Sequence, residues 1–596
     1  MFMRNFYHLL IILLILLNYT KAFSNKLINL EKRYEPFSLP QILSNSDKKT
    51  YLEVNELQMN GKWQEADKKI LTLENKILIG YLEYDKLMHP NKYKSSYSEL
   101  LAWLQTYDDF PVVMQRRVYN LLIKRASANT SSHKFNRPQY GNYLRGYGEN
   151  KKHYNNEKIL KAKYKKFKLT NEIVNLIKEQ RLSDLKKYYN INENYKLSIM
   201  YQLQKDAKKK FNKGLLNEAL LTYKFLISEM GIENPFLYFK AGLISFRLKN
   251  IKESKKFFEN CNSVIQISKL NYSPHLVSVC LYWEARLTDI KNRRIELFTK
   301  ASKFERTIYG QLAIEKLNKK ENFIWKGSNI EYLDKYSESI SKLNIFKRLI
   351  ALSELNFYNK ADLEMRNLYS KLEKEKRNVA FLFHLSEKLD LAAVQIRLGE
   401  TFLNKNPVLY MRGMYPTPSW GLEEGFIFDR AFIYAIIRRE SAFNFRAKSS
   451  KGARGLMQLM PRTASKIKKD YKLRYGNKHQ LYSLNLNLEL GQKLLKQLVN
   501  DPNTKKSILN TLIAYNAGIT RLKKWNATIK ESDPLAFIES IPIKETRMFV
   551  KFILADLWIY RDKLGQNKPT RSMLADNKWP ILPTQDYYYS KDAKLR

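Results

Sequence analysis

Between about residue 40 and about residue 400, apolar residues return every third or fourth position in short runs separated by brief polar turns. A 3.6-residue period places such positions on one face, so the pattern predicts amphipathic helices joined by tight turns. Three runs share a finer pattern: Gly61-Lys62-Trp63-Gln64-Glu65-Ala66 with Ile70, Gly214-Leu215-Leu216-Asn217-Glu218-Ala219 with Tyr223, and Lys249-Asn250-Ile251-Lys252-Glu253-Ser254 with Phe258. In each, the small residue (Ala66, Ala219, Ser254) lets a neighbouring helix approach. The large apolar residue after it fills the gap.

The last two copies lie 35 residues apart. That is close to the period of helix-turn-helix repeats of the tetratricopeptide type, which stack into a curved superhelix. Residues 23–405 are therefore expected to form an α-superhelical domain with its linker region. Within it, Thr130 to Lys151 is rich in Ser, Asn, Gly and Tyr and reads as a surface loop. Tyr282-Trp283-Glu284-Ala285-Arg286 and Tyr309-Gly310-Gln311-Leu312-Ala313 read as inter-helix packing ahead of any glycan stacking. Pro407, Gly413, Pro416, Pro418, Gly421 and Gly425 then mark a boundary, and 406–596 is expected to be one further domain.

In that second domain an apolar helical stretch runs from Asp429, a candidate N-cap, to Ser441. Phe432, Ile436 and Glu440 recur every fourth residue, so the carboxyl of Glu440 continues an apolar stripe. Burial and the C-terminal end of a helix both disfavour a negative charge. Both raise a carboxyl pKa, as a general acid near neutral pH requires. The competing reading is a helix-end Glu facing water.

Composition narrows the surroundings. A hydrophobic fraction of 44% with 13% aromatics excludes a disordered chain, and 20 Gly and 17 Pro in 596 residues favour helix over sheet. The formal net charge of +47 suits a polyanionic partner: nucleic acid, anionic lipid or a cell-wall polymer bearing carboxylates. Lys residues are spread along the chain, so residue usage alone also accounts for much of that charge. Arg4, the apolar run Leu9 to Leu17 and Thr20-Lys21-Ala22 together read as a secretory signal, residues 1–22, too short for an ordinary membrane span. The alternative is an uncleaved anchor. Export directs the chain to the periplasm, without stable membrane insertion after cleavage, and argues against a nucleic-acid partner. Cys261 and Cys280 can pair in an oxidising compartment or stay buried and free. No His/Cys cluster, HExxH or phosphate-cradling Gly loop occurs, so no metal and no cofactor is indicated.

Four clusters accompany the acid: Glu440-Ser441; Ser449-Ser450-Lys451-Gly452-Ala453-Arg454-Gly455-Leu456-Met457-Gln458-Leu459-Met460-Pro461; Ala514-Tyr515-Asn516-Ala517-Gly518; and Ile541-Pro542-Ile543-Lys544-Glu545-Thr546-Arg547. In this order, over about Tyr415 to Arg561, they resemble the catalytic domain of the soluble lytic transglycosylases, a lysozyme-like family that cleaves bacterial peptidoglycan. The resemblance implies an all-α chain in which a helical superhelix precedes a lysozyme-like helical domain. It implies Glu440 as the catalytic acid and Ser449, Gln458, Met460, Tyr515, Asn516 and Glu545 as groove residues that bind substrate. Met457 serves core packing at least as readily as sugar contact, Gly452 and Gly455 serve tight backbone paths, and an ion pair with Arg547 competes for Glu545. Phe445 departs from the family's frequent proline, and Arg454 sits at a variable position.

A glycosidase normally works with two carboxylates. Here the next acid after Glu440 in sequence is Asp470, so the local text supplies one. The family resemblance resolves this: the C6 hydroxyl of N-acetylmuramic acid attacks its own anomeric carbon, and one carboxyl serves as acid and then as base. The rival readings are a muramidase that uses water, and a non-catalytic helical scaffold recruiting other cell-wall enzymes, which are also candidate partners of an active enzyme.

Overall fold

The computed structural model describes residues 39–126, 135–149, 169–191, 193–268, 270–325, 339–421 and 425–582. The expected secretory signal lies outside the described residues, as do parts of the Thr130 to Lys151 stretch. Helices dominate, and pairing between extended segments among the described residues is limited to isolated bridges. The all-α expectation holds. No described helix is long and apolar enough to cross a membrane.

By contacts the chain divides into two units, residues 1–145 with 328–391, and residues 146–327 with 392–596. In the first, helices such as Asn45–Met59, Tyr97–Thr106 and Tyr358–Leu372 contribute the buried Tyr51, Trp103 and Leu368, with Phe110 buried beside Trp103. Two buried arginines brace its interior. Arg348 pairs with Glu364 at 2.6 Å and Asp109 at 2.9 Å, and Arg366 pairs with Asp362 at 2.6 Å. Arg366 also donates to the Leu144 carbonyl at 2.7 Å. The stretch read as a surface loop is thus partly internal: Tyr143 and Leu144 are buried, because a buried guanidinium needs that carbonyl.

The second unit begins with helical hairpins and ends with the region around Glu440. The shared turn pattern has one physical form across the chain. Gly61, Gly214 and Lys249 all take positive φ (73°, 82° and 64°), the left-handed turn that reverses the chain before a helix. Ala66, Ala219 and Ser254 are fully buried where the paired helices meet, and the Ser254 hydroxyl donates to the Gly242 carbonyl at 2.8 Å. Phe258 fills the space that Gly242 leaves open: a Cβ there would stand 3.0 Å from its ring. Trp283 stacks on Phe258, and Tyr282 and Tyr309 are buried beside it, so these aromatics pack helices and do not face a glycan. Cys261 and Cys280 are joined by a disulfide linking the helices Ile251–Ile267 and Pro274–Leu287. That settles the alternative left open by sequence.

Candidate active site

The helix Arg430–Glu440 forms the spine of the site. Asp429 starts it as expected, its carboxylate accepting from the Ala431 N–H at 3.0 Å. The other carboxylate oxygen makes a buried ion pair with Arg561 at 2.7 Å. Its apolar positions, Phe432 and Ile436 among them, are buried. The two arginines of its last turn, Arg438 and Arg439, are engaged with carboxylates other than Glu440. Arg439 grips Asp556 with two hydrogen bonds, at 2.5 and 3.1 Å. Arg438 is buried against Glu149, which also pairs with Arg306. Burial alone would raise the Glu149 carboxyl, but the Arg438, Arg306 and Arg439 guanidiniums together hold it well below the usual range.

The helix stops at Glu440, with Ser441 as C-cap. Ala442 and Phe443 then take positive φ, 50° and 61°, which is uncommon for residues with a side chain. Such backbone persists only where surrounding packing over-determines it. Here the buried Phe443 ring lies between Trp420 and Tyr434. Phe445, at the position where the resemblance expected proline, is buried against Trp420 with ring centroids 5.4 Å apart. This sharp turn leaves the half-buried Glu440 carboxyl at the helix end with no hydrogen bond or ion pair among the described residues. Burial first, and then the charge of Glu545, push its pKa up to about 8. The acidic neighbour that the local sequence did not supply comes from the first turn of the helix Lys544–Lys563.

The segment 447–460 folds into a compact loop. Arg454 bridges to both Lys448 and Leu459, and Gly452 and Gly455 take positive φ (91° and 77°). At Gly455 a Cβ would stand 2.2 Å from the Leu481 carbonyl oxygen, so only glycine fits there. The buried Asn487 ties the loop down: its amide donates to the Arg454 and Leu481 carbonyls at 3.0 and 2.8 Å and accepts from the Met457 N–H at 2.8 Å. Sequence reading missed Asn487. Its signal was a polar residue in phase with Leu490, Gly491 and Leu494 on an apolar helix.

Within the loop, the Ser449 hydroxyl accepts from the Ala453 N–H at 3.0 Å, and its own proton has no acceptor among the described residues. Gln458, at φ 48°, donates its side-chain amide to the Ala447 and Gly455 carbonyls at 3.1 and 2.8 Å. Its carbonyl oxygen is the part left for a ligand. Met460 is 41% exposed, whereas Met457 is fully buried against Gly491, so only the first presents apolar surface.

Tyr515 lies on the helix Ile508–Ala517, stacked on Phe549, and its hydroxyl donates to the Met457 carbonyl at 2.6 Å. Burial, then the Glu440 charge, raise its pKa well above 10, so Tyr515 is neutral and near Glu440. Asn516 accepts from the Thr546 hydroxyl at 2.7 Å, joining its helix to the Glu545 segment. Glu545 is exposed, and Arg547 does not pair with it. Arg547 donates to the Ile541 carbonyl at 2.6 Å and faces Glu539. Electrostatics and hydrogen bonds thus link Glu440, Tyr515 and Glu545, with Met457 and the loop carrying Gln458 held to Tyr515.

The family model for the transglycosylase SLT domain matches residues 423–538, a span that takes in Glu440, Ser449, Gln458, Met460, Tyr515 and Asn516 but not Glu545. The soluble lytic murein transglycosylase of Escherichia coli (strain K12) is 31% identical over 238 residues, 39% of this chain and 35% of that protein. A putative soluble lytic murein transglycosylase of Haemophilus influenzae is 39% identical over 144 residues, 24% of this chain and 23% of that protein. These alignments therefore span between about a quarter and about a third of the relatives' lengths. A solved structure, the 70-kDa soluble lytic transglycosylase in complex with bulgecin A, superposes with a TM-score of 0.54 at 15% identity, covering 90% of this chain and all of that one. Residues 423–538 thus match the transglycosylase SLT domain, on a chain with the all-helical fold of the 70-kDa soluble lytic transglycosylase.

Proposed function

We propose that this chain is an exported peptidoglycan lytic transglycosylase, with residues 406–596 as its catalytic domain. It cleaves the β-1,4 bond between N-acetylmuramic acid and N-acetylglucosamine and leaves a 1,6-anhydro sugar. The observation that carries this reading is an unpaired carboxyl on the SLT-domain helix end, with its pKa raised to about 8. Protonated at neutral pH, Glu440 gives its proton to the departing glycosidic oxygen as the C1–O bond breaks. The carboxylate so formed takes the proton of the C6 hydroxyl as that oxygen bonds to C1. Glu440 ends as it began, and no water is consumed.

The neighbours support both steps. Tyr515 has committed its proton to the Met457 carbonyl, so toward the site it offers a lone pair, which suits a protonated carboxyl. Glu545, exposed and acidic, favours the protonated form of Glu440 through its charge. Ser449, the Gln458 carbonyl, Met460 and Asn516 supply polar and apolar contacts for the glycan. The names of the relatives, which specify murein, support peptidoglycan as substrate, and a peptidoglycan substrate supports the periplasm as the location.

Mass spectrometry of digested sacculi tests the chemistry: anhydro-muropeptides are expected, and reducing ends alone would establish a hydrolytic muramidase in its place. Glu440→Gln is expected to lower cleavage by roughly a hundredfold or more while sacculus binding persists. Cleavage at the parent rate would remove Glu440 from its role. Binding without any cleavage by the parent protein would favour a scaffold.

A further inference from the structure

A groove of about 750 Å³ lies between the helices Glu193–Lys213 and Ile519–Ile529. Lys205, Lys208, Lys209 and Lys213 line it from the first helix, and Lys524 and Trp525 from the second. The 205, 208/209 and 213 spacing gathers the four ammonium groups on one helical face. No acid is among the lining residues. The exposed Lys205, Lys209, Lys213 and Lys524 have no ion pair among the described residues. Lys210 on the same helix shows the contrast, pairing with Asp206 at 2.9 Å and Glu218 at 3.6 Å. So does a smaller groove of about 290 Å³, where Glu259 and Glu284 balance Lys255 and Arg293. Lysine-rich residue usage therefore does not account for a groove whose charged lining is lysine alone.

Holding the like charges of Lys205, Lys209, Lys213 and Lys524 together is unfavourable until an anion fills the space. Lys205 and Lys213 stand about 12 Å apart along the helix axis at 1.5 Å per residue, which suits several carboxylates in a row better than one point charge. Leu215, an exposed apolar residue, lines the same groove and offers ground for short apolar side chains. Pro542, also lining it, stands three residues before Glu545, so the groove opens beside the segment that carries the acidic neighbour of Glu440.

We propose that this groove binds the carboxylates of the peptides attached to a peptidoglycan strand whose sugars lie at Glu440. The inference rests on the reading of Glu440 as a peptidoglycan-cleaving acid, and gives the strand a second, charge-based point of attachment. It is tested with full-length Glu440→Gln protein, with and without Lys205→Gln, Lys209→Gln and Lys524→Gln together, after melting curves show that the surface changes leave the fold intact. Each is bound to intact sacculi and to sacculi stripped of peptide by an amidase, which frees the lactyl carboxylate of each muramic acid as the peptide leaves. The triple change is expected to weaken binding to intact sacculi on the order of tenfold and to flatten its salt dependence, with binding to stripped sacculi unaltered. Equal binding of both proteins to intact sacculi overturns the proposal, as does an equal loss on stripped sacculi, which assigns the contact to the glycan's carboxylates. Either result leaves the cleavage reading standing if the parent chain still releases anhydro-muropeptides. A parent chain that neither binds nor cleaves sacculi removes both.

Discussion

At the scale of single residues, the behaviour of Glu440 with pH follows from its surroundings. Its carboxyl ionises near 8 in the folded chain, against 4.5 as the ordinary value. Between these values the folded state holds the proton that the unfolded state has released. The associated stability is complete below 4.5, is lost as pH rises through about 8, and changes no further above that. Glu440→Gln removes the ionisation, so its melting temperature is expected to match the parent's below pH 4.5 and to exceed it increasingly up to about pH 8. A constant difference across that range would contradict the raised pKa. Cleavage by the parent is expected to fall above about pH 8, as the acid form disappears. The position of Glu440 was legible because Phe432 and Ile436 stand in phase with it. The inward commitment of the Gln458 amide was not. It follows from a loop path that Asn487, on a separate helix, holds in place. Sequence within the motif carries no trace of that partner.

At the scale of elements, the helix Arg430–Glu440 is held at its start by Asp429, which caps it and neutralises Arg561. Losing a cap costs about 1 kcal/mol, whereas leaving a buried guanidinium unpaired costs about 3–5 kcal/mol. Asp429→Ala is therefore expected to destabilise the chain by the larger amount in urea unfolding. A loss near the smaller one would show that Arg561 finds another partner. The cap was legible, since Asp precedes an apolar helical run. Arg561 was not, because the pair spans 132 positions and no periodicity connects them. Helix starts and repeat turns read well for the same reason that the cap did: their causes lie within a few residues. Gly214 and Lys249 take the same left-handed turn even though one is glycine and the other lysine.

At the scale of the molecule, the disulfide closes a loop of sequence separation 19, for which chain entropy gives roughly 3 kcal/mol of stabilisation. Reducing agent is expected to lower the melting temperature of the parent and to leave a Cys261→Ala/Cys280→Ala protein unmoved. An unmoved parent would show that the bond does not form. Two cysteines in a helical chain left pairing undecided, and the antiparallel packing of their helices decides it. The return of residues 328–391 to the first unit was equally illegible, since no local signal says which earlier helices a later one will pack against.

Gly148 and Glu149 give the site a dependence that motif boundaries do not suggest. Gly148 lies against the turn after the helix Arg430–Glu440, where a Cβ would stand 3.0 Å from the Ala442 methyl, and Glu149 neutralises Arg438. Both residues precede the SLT-domain match by more than two hundred positions. The domain is consequently no interchangeable cassette. Cut out at residue 406 or grafted onto another carrier, it would keep every motif residue yet lose the counter-ion of Arg438, so in this chain the segment is tied to the helical body that supplies Glu149.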